Sequence, residues 1–395
     1  MICRREADAR FRPRFALRRE GIDWTLRLIC LMLVVFWPPV SVAAEAGLST
    51  DQLRLISDAV VQIRTHALEA PASPRRMSED ILRAYTRSLD PYSDYLTARE
   101  YAAFLESTSS DYFGVQLDLQ QKNGKLLLYP FKDGLAEKSG IRAGDELLAV
   151  DGAPVHGKSV YVVGSMIRGE EGTTVQLTLR TGPALARSLS LRRSRAHYQS
   201  VRWYPGSSAH RLQITRFTRE TAGQLRPILE RINGDDQVLL LDLRGNQGGS
   251  LIDARQCADF FVDQGRPLFR LRDREGFRSI IAEQPPLVKN PVVVLQDGAT
   301  ASAAEAFLLA LSANHRARTA GTTSYGKGFA QRFLPLNDGS ALRLTYAEIL
   351  APDGTSYHGR GLAPDQILPL RLVKADLTNT DMIKDLLKVL QVQQN

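Results

Sequence analysis

The stretch from Pro291 to Phe333, PVVVLQDGATASAAEAFLLALSANHRARTAGTTSYGKGFAQRF, constrains the fold more than any other part of the chain. It opens on Val292-Val293-Val294-Leu295, a β-branched apolar run bounded by Pro291 and Gly298. A run of that length reads as a strand buried on both faces. Small residues follow, then an Ala/Leu-rich helical pattern from Ala303 to Leu311. Ser302 therefore stands where a strand gives way to a helix. The unpaired N–H groups of a first helical turn point at negative charge that develops there. The small neighbours Ala299, Ala301, Ala303 and Ala304 let a substrate backbone come close. Ser302-Ala303-Ala304-Glu305 also fits a helix capping box, S-x-x-E, and on that reading the serine has no chemistry.

The segment Ser324-Tyr325-Gly326-Lys327-Gly328-Phe329-Ala330-Gln331 weighs against the bland reading. A lysine between two glycines lies on tight backbone. Lys327 is a general base only when neutral, so burial must lower its pKa from a reference of about 10.4. Gln331, beyond the bend, is placed to hydrogen-bond the amine and orient it. A second buried strand, Val238 to Leu241, ends in Asp242-Leu243-Arg244-Gly245-Asn246-Gln247-Gly248-Gly249. Paired glycines free a backbone to turn an N–H toward a ligand. Asp242 and Arg244 read as a structural pair at the strand end.

The spacing Ser302…Lys327…Gln331 resembles the carboxyl-terminal processing proteases, serine proteases with a Ser-Lys-Gln triad. The family's lysine lies in a T-F-G-K-G-like motif, here Ser324-Tyr325-Gly326-Lys327-Gly328, and its D-L-R-x-N-P-G-G run is matched except that Gln247 replaces proline. The usual Gly-Ser-Ala-Ser-Ala-Ser-Glu is here Ala299-Thr300-Ala301-Ser302-Ala303-Ala304-Glu305, which leaves one candidate nucleophile. The resemblance implies an α/β (α+β multidomain) chain, with a crotonase-like protease core, an inserted PDZ β-sandwich and N-terminal helices. It implies an oxyanion hole formed by the N–H groups of Gly248 and Ala303.

Residues 110–196 look like that PDZ domain. Gly140-Ile141-Arg142-Ala143-Gly144-Asp145 feeds a strand, Ala136 to Ser139 and Val160 to Ile167 read as helices, and Asn123-Gly124 is a hairpin turn. Such a domain adds a peptide to a sheet edge and holds its carboxylate in backbone N–H groups, here expected from Phe113, Gly114 and Val115. Arg168, after the second helix, is either solvent-exposed or, by resemblance, a regulatory residue that faces the protease core. Asp90-Pro91-Tyr92-Ser93-Asp94-Tyr95 is similar to a turn that precedes the family's PDZ domain, and reads as an Asp-Pro turn without chemistry.

The remaining divisions follow: 1–44 a signal peptide, 45–109 a helical region, 197–370 the peptidase core and 371–395 a helical tail. Residues 1–44 carry an arginine-rich start, an apolar run from Leu26 to Trp37 broken only by Arg27, and small residues at Val42-Ala43-Ala44. The run is shorter than the ~20 residues a span needs, which favours export to the periplasm over an uncleaved membrane anchor. Removing this segment takes about half of the +8 net charge with it, so the mature chain is mildly basic and shows no nucleic-acid pattern. Cys257 then remains as a lone thiol in an apolar helical pattern, read as a packing residue.

The function expected is an endopeptidase for proteins or peptides with exposed carboxyl ends. No metal or organic cofactor is implied; the histidines lack H-E-x-x-H spacing. His358 reads as a loop histidine. A helix from Asp381 through Leu390, capped by Thr380, packs on the core or on another subunit, so a homo-oligomer stays open, as does an activating adaptor protein. The rival readings are a catalytically inactive PDZ adaptor on a protease scaffold and an acyl-CoA hydratase on the same core.

Overall fold

The computed structural model describes residues 47–69, 73–107, 111–122, 124–131, 134–158, 160–197, 199–206, 209–373 and 379–390. The leader expected over 1–44 lies outside them, as does Asn123 of the hairpin turn. No described helix is long and apolar enough to cross a membrane.

The described residues divide into two compact units, one before Ser73 and one from Ser73 onward. The first holds helix α1 (Thr50–His66), started by a reciprocal cap between Ser49 and Gln52. Leu53, Ile56, Val61 and Ile63 keep the helical spacing read from the sequence, yet all are exposed.

The second unit begins with α2 (Pro74–Leu89), where Ser73 caps and Pro74 fills the first turn. A turn leads to β1 (Asp94–Leu96) and α3 (Ala98–Ser107). The region is thus not wholly helical as expected: β1 pairs with a strand of the core, Asp94 opposite Arg343.

The inserted domain enters by β2 (Asp111–Gly114) and leaves by β9 (Ser194–His197), which pair as an antiparallel neck. Between them run β3 (Leu117–Lys122), β4 (Lys125–Pro130), α4 (Leu135–Lys138), β5 (Asp145–Val150), β6 (Ala153–Pro154), α5 (Val160–Ile167), β7 (Thr174–Arg180) and β8 (Arg187–Arg192). The sheet order β3-β4-β5-β7-β8 leaves one edge of β3 unpaired among the described residues. Alternating Val175, Leu177 and Leu179 point into the same small core as Leu128, Val150 and Val163.

The peptidase core contains β10 (Val201–Tyr204), β11 (His210–Ile214), α6 (Thr221–Ile232), β12 (Leu239–Asp242), α7 (Leu251–Ala258), β13 (Pro267–Asp273), β14 (Gly276–Ile281) and β15 (Val292–Gln296). It continues through α8 (Ala303–Ala313), β16 (Ala317–Gly321), β17 (Phe329–Pro335), β18 (Ala341–Leu350), β19 (Gln366–Ile367), α9 (Leu370–Val373) and α10 (Thr380–Val389). One sheet has the order β10-β11-β12-β15-β16-β19, parallel from β11 onward. The other joins β1, β18, β13 and β14, with β17 also on β18.

The apolar runs are continuous because both faces of the parallel sheet are covered. Leu239, Leu241, Val292 and Val294 face the α6–α7–α8 side; Leu240, Val293 and Leu295 face α9 and α10. Ile383, Leu386, Leu387 and Leu390 are buried on that second face, so the C-terminal helix packs on the core. Each such side chain contributes roughly 1.5–3 kcal/mol. Its cap is Asn379, whose side chain accepts from Asp381 and Met382 N–H, not Thr380 as expected: Thr380 is already the first helical residue.

Candidate active site

Ser302 sits between β15 and α8 with φ +58° and ψ −122°. That is strained backbone for a residue with a Cβ. The Ser302 N–H donates to the Glu305 carboxylate at 2.8 Å and its carbonyl accepts Ala306 N–H at 3.1 Å, so the serine does start the helix, while its hydroxyl makes no capping bond. What holds the strained turn is the loop after β12. Ala301 N–H donates to Asn246 C=O at 2.9 Å, and the Thr300 hydroxyl to Leu243 C=O at 2.9 Å. Gly248 lies against the serine itself: a Cβ there would stand 2.8 Å from Ala303 N and 3.0 Å from Ser302 Cβ.

The expected oxyanion donors are therefore neighbours, in different states. Ala303 N–H has no hydrogen-bond partner among the described residues. Gly248 N–H donates to the buried Asn246 Oδ1 at 2.8 Å. It is engaged in this structure and must turn away from Asn246 to serve an oxyanion.

Glu305 joins the serine to the lysine. It is fully buried in the first turn of an otherwise apolar helix. Its Oε2 accepts Ser302 N–H and Lys327 N–H, both at 2.8 Å. Its Oε1 accepts the Ser324 hydroxyl and Gly326 N–H, both at 2.6 Å. A buried carboxylate persists only when donors of this kind replace water. The sequence reading took Glu305 as a cap alone. The available signal was a charged residue inside AAEAFLLALSA, a helix with no polar face to place it on.

The lysine loop is pressed against residues 357–361. Gly326 has φ +91°, and a Cβ there would lie 2.7 Å from Gly361 N. Lys327 is thereby drawn inside. Burial, helped by the Arg343 guanidinium, brings its pKa down to about 8, against the opposing pull of Glu305 and Asp90. The ammonium nitrogen lies 4.9 Å from the centre of the Tyr92 ring, a contact that favours the charged form. Tyr92 packs edge-on to Phe329 and His358. The turn read as chemically silent thus floors the lysine, and His358 accepts Gly328 N–H through Nδ1 at 3.3 Å.

Gln331 is on β17, beside a register shift that sets Ala330 opposite Ala347 but Gln331 opposite Thr345. Its Nε2 donates to Phe329 C=O and to Thr345 Oγ1, both at 3.2 Å. Oε1 has no hydrogen bond among the described residues.

The other expected residues lie elsewhere. Asp242 and Arg244 form the structural pair anticipated: Arg244 donates to Asp242 through Nε and Nη2 at 2.7 Å and reaches the Val373 carbonyl, also at 2.7 Å. Cys257 is buried, and burial with Asp253 nearby pushes its thiol pKa far up, as suits packing rather than reactivity. In the inserted domain, Phe113 and Gly114 belong to the β2–β9 neck, and Val115 is buried just before the edge strand β3. Arg168 follows α5, and the next residue, Gly169, donates to Phe113 C=O at 3.3 Å. Arg168 therefore adjoins the expected carboxylate loop. Among the described residues no group of three His, Cys, Asp or Glu side chains is arranged to hold a metal ion.

The chain is similar to known proteins over most of its length. The profile of peptidase family S41 matches residues 211–368, and that of the PDZ domain matches residues 131–181. A probable CtpA-like serine protease of Staphylococcus haemolyticus (strain JCSC1435) is 30% identical over 357 residues, which span 87% of this chain and 72% of that protein. One from Staphylococcus aureus (strain COL) is 32% identical over 281 residues, 70% of this chain and 56% of that protein. Among solved structures, a photosystem II D1 C-terminal processing protease superposes with a TM-score of 0.63 at 26% identity, over 85% of this chain and 97% of the other. Fold and likeness together define a serine protease with an inserted PDZ domain. The chain belongs to peptidase family S41.

Proposed function

We propose that the protein is an exported, periplasmic endopeptidase that selects proteins by their carboxyl ends and cuts them with Ser302, Lys327 and Gln331. The observation that carries the reading is the Glu305 carboxylate, which binds the backbone of the strained serine and of the half-buried lysine through one oxygen. With a pKa of about 8, Lys327 is neutral in about a tenth of molecules at pH 7. The neutral amine takes the Ser302 proton as Oγ attacks a peptide carbonyl. Ala303 N–H, and Gly248 N–H once released from Asn246, stabilise the oxyanion. The lysine returns the proton to the leaving amine, and water hydrolyses the acyl-enzyme by the same route.

The unpaired edge of β3 supports capture of an extended peptide, with Phe113, Gly114 and Val115 near its carboxylate. The similarity to a D1 C-terminal processing protease supports carboxyl-terminal cleavage as a substrate class. The engaged Gly248 N–H favours a resting site that substrate or an adaptor protein completes. Residues 1–44 would direct export; if uncleaved, they would hold the protein at a membrane. Self-association would be read from its sedimentation.

The test is to incubate periplasmic proteins with the wild-type enzyme and with Ser302→Ala, and to sequence the products. New ends made by the wild type alone support the reading; identical products from both assign the protein to the adaptor alternative. One peptide with free and amidated ends, assayed well below saturation, tests selection. Amidation is expected to slow cleavage about tenfold. Equal rates would remove the carboxylate from the mechanism.

A further inference from the structure

The Gln331 amide can face a lysine base in two ways, with opposite consequences. Presenting Oε1, it accepts an N–H of the neutral amine and leaves the nitrogen lone pair free for the serine proton. Presenting Nε2, it donates into that lone pair and blocks it. The groups around Gln331 decide between the two. Phe329 C=O, 3.2 Å from the amide nitrogen, can only accept. Thr345 Oγ1, also at 3.2 Å, is able to donate or accept, but it owns a single hydrogen. That hydrogen goes to Asp90 Oδ1 at 3.0 Å.

Asp90 has nothing to donate in return. Tyr92 and Ser93 N–H donate to Oδ1 at 2.7 and 2.8 Å, and the Ser93 hydroxyl to Oδ2 at 2.6 Å. Burial works to raise the Asp90 pKa, yet these bonds together with that from Thr345 hold it below the usual aspartate value. The carboxylate stays ionised and accepts throughout, so the Thr345 oxygen is left as an acceptor toward Gln331. Thr345 N–H in turn donates to Ser93 Oγ at 3.1 Å, which ties strand to turn.

We propose that Asp90 and Thr345 are positioning residues that lock the Gln331 amide with its NH2 committed and its Oε1 left to accept from the lysine amine. The turn at residues 90–93, ahead of the inserted domain, is then part of the catalytic machinery. The proposal rests on the Ser302–Lys327 reading and deepens it. The β17–β18 register shift belongs to the device: without it Gln331 would face Tyr346 and not Thr345.

The test is steady-state cleavage of fluorescein-labelled β-casein by the full chain. Thr345→Val keeps the β-branched shape and removes the hydroxyl. It is expected to lower kcat about tenfold, while Thr345→Ser recovers most of it. KM should stay within about twofold, because Thr345 acts through Gln331 and not on bound substrate. In a Gln331→Ala background the valine change should cost less than about twofold, since the amide to be oriented is gone. If Thr345→Val does not fold, Asp90→Ala frees the same hydrogen and enters the same cycle. A valine variant within twofold of wild type, or a full tenfold loss repeated without Gln331, overturns the proposal. Ser302→Ala and Lys327→Ala run alongside. If either still cleaves, the parent reading fails and this one falls with it; if both are dead and Thr345→Val is unimpaired, this one alone fails.

Discussion

The serine half and the lysine half of the site are built in different ways. The serine half is local: a buried strand, a strained residue and a helix in one unbroken stretch, β15 to α8, steadied by the neighbouring loop after β12. The lysine half is assembled from residues 90–93, 324–331, 343–345 and 357–361, far apart along the chain. The contrast has a chemical basis. An exposed nucleophile on a sharp turn is a backbone device, which a few adjacent residues can supply. A neutral lysine needs its charged form desolvated, and only packing from several directions does that. Glu305 reaches both halves, so their separation is tested by changes on either side of it.

The largest effect is expected at Lys327. Lys327→Arg leaves a guanidinium that stays protonated, and kcat/KM should fall by about a thousandfold or more. Wild-type activity should rise with pH through about 8, as the neutral amine accumulates. An arginine variant within tenfold of wild type would show that the lysine half does not supply the base.

Glu305→Gln comes next. Its amide places an NH2 where Ser302, Ser324, Gly326 or Lys327 already donates. A loss of about 2 kcal/mol in denaturant unfolding is expected, with kcat reduced about a hundredfold. Lost activity at unchanged stability would mean that Glu305 does not bridge the two halves.

Two glycines sharpen the contrast further. Gly326→Ala forces a Cβ onto Gly361 N at positive φ and should cost ~1–3 kcal/mol. Gly298, in the serine turn, has only Thr323 O near it, at 3.9 Å, so Gly298→Ala should stay within about 0.5 kcal/mol. Equal costs in thermal unfolding would erase the difference in packing between the halves.

The smallest effect belongs to Arg343, which helps hold the Lys327 pKa down. Removing the charge in Arg343→Gln should move the rising limb of the activity–pH profile to higher pH, with little loss on the plateau. A shift to lower pH would contradict the electrostatic assignment.

The buried strands, the helix after Ser302, the inserted domain and the S-x-x-E cap were legible because each is written in residues a few positions apart. Runs such as Val292–Leu295 carry their own burial pattern. The same short-range reading misjudged the cap of α10, since Asn379 and Thr380 are adjacent and both able to cap. It also passed over Asp90 and Tyr92, because an Asp-Pro turn looks alike whether or not a lysine is later packed upon it.

By itself, then, the sequence determined buried strands, a strand-to-helix turn that presents Ser302, and a lysine held between glycines. Periodicity and backbone sterics act over neighbouring residues, so these follow from the order of side chains alone. Only the tertiary structure decided that Glu305 faces inward to both halves, that Lys327 is desolvated over Tyr92, and that Gly248 N–H is engaged by Asn246. It also decided which way the Gln331 amide lies. Protonation and hydrogen-bond direction depend on everything within a few ångströms. For this site those surroundings come from segments that meet only when the chain has folded.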